Sequence, residues 1–515
     1  MVKERMPRIH LLRNGQFRSW TRFRLCIFIL VVFFLTNIAF GIMWLYREPV
    51  VQESLAKKKN DIYKNAVESH PPRLDILTEF KGTSEELCSK LRSGYRGITS
   101  VEYSDSGNSE EDTIVFTYLK TSFPKEIDFS KLKPKNEVFT KGNGYVEVYD
   151  RYWEQLTMNL RSFIALAGQA KIGGKRVVEP KVKSSVFGDR NGMPLGTYFY
   201  MKHFNEILAA SNYATIATHD EYRAECPSDD PEHVNIHFLY SQKGESFTRA
   251  KLKLNDKEYD EISAKARKTG WTVCPKLKNF IQDYSKGKQI CVNTEMYKNW
   301  TKLEKDVIRG AKCVTIGHWR GIGGNYRTHF SEQNFKIKAR DIQYALKVPS
   351  SILNEANEFE NSKIRGQYIA VQVRGERVVI PHDLPRLRSC LRLLSETVNA
   401  LKKLNDIDKV FVASDMSSYG SGSWEDSLKK ELHNENTLSD IHDFLISSID
   451  GIEYKPTRKN LDQGVVALTE MTIISRGRYL LTIGSGSFQE WTKAKFLEHH
   501  RHDTTNWSLI TMCSK

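Results

Sequence analysis

The stretch RYLLTIGSGSFQEWTKAKF, Arg478 to Phe496, reveals the fold class of this 515-residue chain. RYLLTI is an apolar run typical of a buried strand, and FQEWTKAKF is typical of a helix with one apolar face. A short loop of small residues joins the two segments. Because a strand that passes directly into a helix is the repeating unit of parallel α/β sheets, and ligands bind at such junctions, the loop is a candidate binding site.

The same alternation of strand and helix occurs upstream. QYIAVQV, beginning at Gln367, and KVFVASD, beginning at Lys409, are further runs typical of buried strands. Leucines at spacings of three and four between Leu384 and Leu401 form one helical face, and LDQGVVALTEMTIIS, beginning at Leu461, is typical of a second helix. Residues 356–515 are therefore predicted to form a doubly wound α/β domain.

An earlier unit of the same kind begins at Gly144. The segment GYVEVYDRYWEQLTMNLRSFIALAGQAKIGGKRVVEPKV predicts a strand, a helix and a second strand, and HVNIHFLYS and AKCVTIGHW are typical of later strands. We therefore expect residues 73–355 to form a first Rossmann-like domain that carries an N-terminal extension. The predicted fold class is α/β, with two Rossmann-like domains in series behind an N-terminal transmembrane helix.

The N-terminus predicts attachment to a membrane. Residues 25–46 contain no charged side chain, and as a helix they are long enough to cross the ~30 Å hydrocarbon core of a bilayer. Basic residues dominate the preceding segment, so residues 1–24 should stay cytoplasmic. A cleaved signal peptide is the alternative, but its apolar region would be shorter. The sequence predicts a single-pass type II protein of the Golgi or endoplasmic reticulum membrane, with a stem at residues 47–72 and a lumenal body.

Cysteine usage and sequons agree with a lumenal body. Most cysteines lie beyond the predicted span, widely spaced and without a CxxC pair, so we expect one to three disulfides and no zinc site. Asn299 in NWT and Asn506 in NWS are acceptors for glycans on the lumenal side. The net charge of +15 is not gathered into one arm or stripe beyond the N-terminus, which argues against nucleic acid as a partner.

Two strand ends in the second predicted domain carry polar residues with possible chemistry. Arg374 directly follows QYIAVQV, where its guanidinium can bind two phosphate oxygens; the alternative is a surface ion pair with Glu376. Asp415 ends KVFVASD, where a carboxylate can accept hydrogen bonds from a ribose or a base amine, or can only cap its own loop. Both residues are expected at the ligand-binding edge of the sheet.

The loop after RYLLTI is the third candidate. Ser485, Gly486 and Ser487 lie between strand and helix, where backbone N–H groups and hydroxyls converge at the positive end of a helix. The pattern is neither a Walker loop nor GxGxxG. It fits a diphosphate that is bound without a P-loop, and the alternative is a plain tight turn.

Taken together, these features resemble the GDP-fucose-dependent fucosyltransferases of the two-domain GT-B type. The branch of the protein O-fucosyltransferases and α1,6-fucosyltransferases is the most similar. The resemblance rests on the arginine after the first strand, the VASD strand end, an acid in the next helix and an SSF-like turn after the last strand, and it covers Tyr368 to about Trp491. It implies that Arg374 binds the donor diphosphate and stabilises the leaving group.

The resemblance also implies roles for other residues. Asp415 and Glu470 would contact the guanosine, and Ser485 and Ser487 with Phe488 would hold phosphate and enclose the base. In the first domain, YWEQLTMN stands where that branch has a loop that meets the sugar and the acceptor.

The sequence departs from the family in three places and suggests few candidates for a base. In the first domain, WEQLTMN stands in place of the family's usual loop rich in Gly and Asn. Gln372 stands where the family usually has His, and Gly375 where some members have a second Arg. Arginine and helix dipole, and no metal, are expected to neutralise the diphosphate. His318, which precedes a glycine-rich loop, and Glu376 are the candidates for a general base.

The sequence therefore predicts a glycosyltransferase that transfers fucose from GDP-fucose to a protein or glycan acceptor, with inversion and without a metal or other cofactor. A second hypothesis is a catalytically silent lumenal protein that keeps the fold and binds glycans or proteins, which the departures at Gln372 and Gly375 favour. A third, a sulfotransferase, would need a donor-binding loop near its first strand, and the sequence contains none.

Overall fold

The computed structural model describes residues 76–82, 97–104, 113–119 and 143–513, the last range with gaps at 151, 153, 189–190, 241–242, 275–285, 324–326, 332–334, 380–383, 417–434 and 457–460. The predicted cytoplasmic tail, transmembrane helix and stem lie outside these residues. Within the described part of the chain, no helix combines the length and the apolar character needed to cross a bilayer. The membrane topology stays a prediction.

The strands alternate with helices along most of the chain. The strands are β1 (Ile76–Gly82), β2 (Gly97–Ser104), β3 (Thr113–Leu119), β4 (Tyr145–Val148), β5 (Arg176–Val178), β6 (Lys181–Lys183), β7 (Val186–Phe187), β8 (Met193–Pro194), β9 (Ile216–Ala217), β10 (Val234–Leu239), β11 (Trp271–Val273), β12 (Lys288–Asn293), β13 (Cys313–Ile316), β14 (Tyr368–Val373), β15 (Lys409–Ser414), β16 (Gly451–Glu453), β17 (Tyr479–Ile483) and β18 (Ser508–Met512).

The helices connect these strands. They are α1 (Leu156–Ile172), α2 (Met201–Ala210), α3 (His219–Glu225), α4 (Lys243–Leu252), α5 (Asp256–Thr269), α6 (Trp300–Leu303), α7 (Ala339–Ala345), α8 (Ser350–Phe359), α9 (Glu376–Val379), α10 (Leu384–Asn405), α11 (Glu435–Ile449), α12 (Gln463–Ile474) and α13 (Ser487–His499). A 3₁₀ turn covers Leu195–Thr197, and π-helical turns at Glu304–Ile308 and Glu360–Ile364 extend α6 and α8.

The first sheet has the strand order β11-β12-β10-β13-β4-β5-β9. Its neighbouring strands are parallel except β11, which is antiparallel to β12. Strand β10, with the sequence VNIHFL, is buried along its whole length, as expected in the middle of a parallel sheet. The strands predicted from HVNIHFLYS and AKCVTIGHW are β10 and β13, so the α/β prediction is confirmed for this half.

The second sheet has the strand order β1-β3-β2-β18-β17-β14-β15-β16. Strands β14, β15, β16, β17 and β18 run parallel to their neighbours, and β3 is antiparallel to both β1 and β2. Because β14 lies between β15 and β17, the carboxyl ends of the three strands predicted from sequence meet at one edge. The α/β prediction is therefore confirmed for this half as well.

The N-terminal extension belongs to the second sheet, which corrects its predicted place in the first domain. Strand β2 pairs in parallel with β18, from Gly97 opposite Ser508 to Val101 opposite Met512. Strand β18 follows the last predicted helix and was not predicted. Without β2 it would present a row of unpaired backbone groups. A pairing between strands so far apart in the chain leaves no local pattern in the sequence.

A shared apolar core joins the two sheets. Phe199, before α2, and Trp491, on α13, are buried and stack with their ring centroids 6.1 Å apart. Val465 and Leu468 of α12 belong to the same buried cluster as Phe163 of α1. A buried apolar contact of this kind opposes independent motion of the two halves. It fixes the loop before α1 relative to the strand ends of the second sheet.

Three disulfides form among the described residues, across sequence separations of 17 to 123 residues. They join Cys226 to Cys313, Cys274 to Cys291 and Cys390 to Cys513. The expectation of one to three disulfides is confirmed, and the remaining cysteines, at 26 and 88, lie outside the described residues. The bond between α10 and the end of β18 spans 123 residues. Closing a loop of that length stabilises the fold by about 4 to 5 kcal/mol in the chain-entropy model.

Candidate active site

A cavity of about 380 Å³ lies between the loop before α1 and the strand ends of the second sheet. Its volume is within the usual range of small-molecule sites. We call it the cleft. Its lining residues are Glu154, Gln155, Leu156, Thr157, Met158 and Ser185 from the first half, and Gln372, Val373, Arg374, Arg377, Ala413, Ser414, Asp415, Gln463, Val466, Ala467, Glu470, Ser487, Phe488 and Gln489 from the second.

Strand β14 positions Arg374 at the cleft. Alternate residues of a strand face opposite sides, so Val371 and Val373 pack in the core while Gln372 and Arg374 share the other face. The backbone N–H of Arg374 donates to the carbonyl oxygen of Ile483 at 3.0 Å, which continues the pairing with β17 beyond the strand. Arg374 therefore lines the cleft, where the sequence analysis expected it.

The glycines of the GSGS loop make room for Arg374. Gly484 has a φ of +81°, and a Cβ there would lie 2.6 Å from the carbonyl oxygen of Arg374. Gly486 has a φ of +155°, and a Cβ there would overlap Nη1 of Arg374 and lie 3.0 Å from its Cζ. Both positions therefore require glycine. The small residues of this loop accommodate an arginine that lines the cleft.

Helix α13 begins inside this loop and brings part of it to the cleft. Ser487 and Phe488 line the cleft, whereas Ser485 is exposed and does not line it. The ring of Phe488 packs edge-on against Trp491, with centroids 6.4 Å apart. Because Ser487 is the first residue of a helix of 13 residues, the positive end of the helix dipole borders the cleft. The contact predicted for Ser485 is not supported by its position.

Asp415 fixes the turn that follows β14. Its Oδ1 accepts a hydrogen bond from the backbone N–H of Gly375 at 2.8 Å, and its Oδ2 accepts one from that of Glu376 at 3.3 Å. Burial raises the pKa of Asp415, although these hydrogen bonds and Arg374 oppose the shift. The sequence left open a ligand contact or a loop cap. Asp415 caps the neighbouring loop and also lines the cleft.

One face of helix α12 forms a wall of the cleft. Gln463, Val466, Ala467 and Glu470 are spaced as one helical face, and all four line the cleft. Burial, and to a lesser degree the charge of Glu453, raises the pKa of Glu470 to about 8. At neutral pH the Glu470 side chain is therefore mainly a neutral acid, which can both donate and accept a hydrogen bond.

The raised pKa of Glu470 predicts a pH dependence of stability. Because its pKa in the folded chain, about 8, lies above that in the unfolded chain, the native state holds a proton that the unfolded state releases. This stabilisation is present below about pH 4 and is lost as the pH rises to about 8. We expect Glu470→Gln to remove about 3 kcal/mol of the loss between pH 5 and pH 8, measured by urea unfolding.

The control for this measurement is Glu490→Gln, because Glu490 lies on the exposed side of α13. This variant should retain the pH dependence of the wild type. If Glu470→Gln also loses stability between pH 5 and pH 8 to the same extent as the wild type, the proton is not held by Glu470.

The two candidate general bases do not line the cleft, which corrects their predicted place. His318 is 1% exposed, with its ring 5.5 Å from that of Tyr240, and burial lowers its pKa to about 3. Glu376 is 2% exposed, and burial raises its pKa to about 7. The sequence placed both residues correctly after strands. It did not specify that their side chains are buried in the protein.

Sequence reasoning missed Glu154, a carboxylate on the first-half wall. Its Oε1 accepts a hydrogen bond from Nη2 of Arg327 at 2.9 Å. The buried Asn159 fixes the same loop, because its Oδ1 accepts from the Glu154 N–H at 2.9 Å and its Nδ2 donates to the Glu154 carbonyl oxygen. The available signal was an acid immediately before the helix in YWEQLTMN.

Arg377 was missed as well. Helix α9 is a single turn directly after β14, and the Arg377 N–H donates to the carbonyl oxygen of Arg374 at 3.1 Å. Residues three apart in a helical turn lie on the same side, and both arginines line the cleft. The signal in the sequence was the spacing of the arginines in VRGER.

Comparison with known proteins finds similarity only among solved structures. No family model and no curated protein matches the chain. POFUT1 in complex with GDP-fucose is 12% identical, with a TM-score of 0.39 over 72% of this chain and 99% of that chain. The fucosyltransferase NodZ from Bradyrhizobium is 14% identical, with a TM-score of 0.32 over 69% of this chain and 93% of that chain. TM-scores below 0.5 assign neither an activity nor a family to this chain.

The positions at which the chain departs from the fucosyltransferase pattern have defined structural roles. Gln372 lines the cleft, and its Nε2 donates to Oγ1 of Thr492 at 3.3 Å. A Cβ on Gly375 would lie 3.1 Å from Sδ of Met416, so a larger residue here would displace that side chain. Within the described ranges, no group of three or more His, Cys, Asp or Glu residues is arranged to hold a metal ion.

Proposed function

We propose that this chain is a glycosyltransferase that transfers fucose from GDP-fucose to a hydroxyl of a protein or glycan acceptor, with inversion. The observation that carries the proposal is the composition of the two walls of the cleft. The second half contributes Arg374 and the positive end of α13, and the first half contributes the carboxylate of Glu154. A diphosphate leaving group needs positive charge to offset its developing negative charge. An attacking hydroxyl needs a base, such as a carboxylate, to accept its proton.

In the proposed reaction the acceptor hydroxyl attacks C1 of the sugar from the side of Glu154. Glu154 takes the hydroxyl proton while the new C1–O bond forms. The bond between C1 and the diphosphate oxygen breaks on the opposite side, and its electron pair leaves with GDP. Arg374 and the N-terminus of α13 offset the developing charge, so neither a metal nor another cofactor takes part. Attack opposite to the leaving group inverts the configuration at C1.

The remaining lining residues support a nucleotide with a purine base. Phe488 and the helical pair Val466 and Ala467 offer apolar surface to a flat ring. Glu470, one turn further along α12, offers a carboxyl group to the N1–H and the 2-amino group of guanine. Asp415 lies at the same edge, beside the turn that carries Arg374. We assign the nucleoside to this part of the cleft.

We further propose that the catalytic body is lumenal and is anchored as a type II protein in the Golgi or endoplasmic reticulum membrane. The uncharged segment at residues 25–46 and its basic flank support this topology. Asn299 is exposed, and its Oδ1 accepts from the backbone N–H of Lys302 at 2.8 Å, which leaves Nδ2 for a glycan. Asn506 is partly exposed.

A second candidate function is a catalytically silent glycan- or protein-binding role. The observation that favours it is Gln372, an uncharged side chain at a position of the cleft wall where the resembling family usually has His. A silent protein of this kind would still bind the nucleotide but would not turn it over.

Nucleotide-dependent thermal stability tests the proposed function. With the full chain in detergent, GDP and GDP-fucose are expected to raise Tm, whereas UDP and CMP are not. A ligand at one hundred times its Kd stabilises the fold by about 2.7 kcal/mol. Stabilisation by GDP without fucosyl transfer to any acceptor would favour the silent alternative. The absence of stabilisation by GDP and by GDP-fucose would contradict the proposal.

A further inference from the structure

The turn that carries Arg377 is fixed from two sides. Val378 and Val379 are 1% and 8% exposed, so they anchor α9 in the core. Asp415 binds the backbone N–H of Gly375 at the start of the turn. Arg377 itself is partly exposed and lines the cleft. Its backbone position is therefore set by the fold before any ligand arrives.

Two of the carboxylates that line the cleft accept hydrogen bonds from the protein itself. Glu154 pairs with Arg327, and the two oxygens of Asp415 accept backbone N–H groups. Glu376 is buried, and its Oε2 has no hydrogen-bond partner. Burial raises the pKa of Glu376 to about 7, although Arg377 and Arg374 both act to lower it.

We propose that Arg377 supplies a second guanidinium to the diphosphate of the ligand, so that the cleft selects a nucleoside diphosphate over a monophosphate. This inference rests on the proposed function. Each guanidinium is a planar fork that matches the spacing of two phosphate oxygens, and two such forks match two phosphate groups. Arg377 thus adds a second positive charge, from α9, to that of Arg374.

Isothermal titration of the full chain with GDP, GMP and inorganic pyrophosphate tests the inference. Arg377→Ala is expected to raise the Kd of GDP and of pyrophosphate by about ten-fold to a hundred-fold, because a hydrogen-bonded contact between charges is lost. The Kd of GMP should rise by less than about three-fold, because a monophosphate occupies only one fork. Far-UV circular dichroism and Tm should match those of the wild type.

Arg388→Ala is the matched control. Arg388 is exposed on α10 and does not line the cleft, so its removal changes the net charge equally without changing the site. The Kd values of all three ligands should stay within about two-fold of the wild type, since exposed charges are screened by salt. If Arg377→Ala and Arg388→Ala lose GDP affinity equally, the loss is caused by the change in net charge, and the inference is overturned.

Two further outcomes separate the inference from the proposed function. Unchanged Kd values for GDP and pyrophosphate in Arg377→Ala, or equal losses for GDP and GMP, overturn the inference alone. A wild-type chain that binds pyrophosphate but not GDP contradicts the proposed donor, and the pyrophosphate Kd of Arg377→Ala then decides the role of Arg377. A wild-type chain that binds none of the three contradicts both.

Discussion

Arg374→Ala is expected to lower kcat for fucosyl transfer by about thirty-fold to a thousand-fold, which corresponds to about 2 to 4 kcal/mol of transition-state stabilisation. Arg374 is proposed to contact the diphosphate, where negative charge develops as the bond to C1 breaks. Its side chain lines the cleft and belongs to none of the buried apolar clusters, so the fold should persist. Transfer from GDP-fucose and the Tm of the variant give the two measurements.

Companion variants separate the guanidinium from the loop that surrounds it. Arg374→Lys should restore little activity, because a point charge cannot bind two oxygens as a fork does. Ser487→Ala should be milder. Gly486→Val should cause a severe loss of activity, because the added carbons would displace the Arg374 guanidinium. Equal GDP affinity in the wild type, Arg374→Ala and Gly486→Val would show that neither the arginine nor the loop binds a diphosphate.

Glu154→Gln is expected to lower kcat by about a hundred-fold to ten-thousand-fold, the range for removal of a general base. The Kd of GDP should stay within about two-fold, because Glu154 belongs to the first-half wall of the cleft and the proposed diphosphate site to the second-half wall. Glutamine keeps an oxygen for the hydrogen bond from Arg327, so the loop should retain its position. The difference between kcat and Kd is the readout that a merely structural role would not produce.

Glu376→Gln provides the comparison, since Glu376 was one of the two candidates for a base that the sequence indicated. Its side chain is buried away from the cleft wall, so this variant should lower kcat far less than Glu154→Gln. If Glu376→Gln proves the more damaging of the two for kcat while both variants bind GDP normally, the assignment of Glu154 is wrong.

The amino-acid sequence by itself determined the fold class and one wall of the cleft. The apolar runs of β14, β15 and β17 and the helical periodicity between Leu384 and Leu401 are local patterns, and both survive in the structure. The position of Arg374 followed directly, because a residue after a parallel strand lies at the ligand-binding edge of the sheet. Asp415, directly after β15, and Ser487 and Phe488, after β17, line the cleft for the same reason. Glu470 lies within α12 and was indicated only by the resemblance.

Only the tertiary structure decided which side chains meet across the chain. Strand β2 pairs with β18, His318 and Glu376 are buried, and Glu154 and Arg374 line one cleft. Each of these results depends on segments that are distant in sequence. Backbone periodicity reports how each segment divides its own faces between core and solvent. This periodicity does not identify the segment against which a face packs. The packing partner is decided by the apolar area and the backbone hydrogen bonds that a distant segment offers.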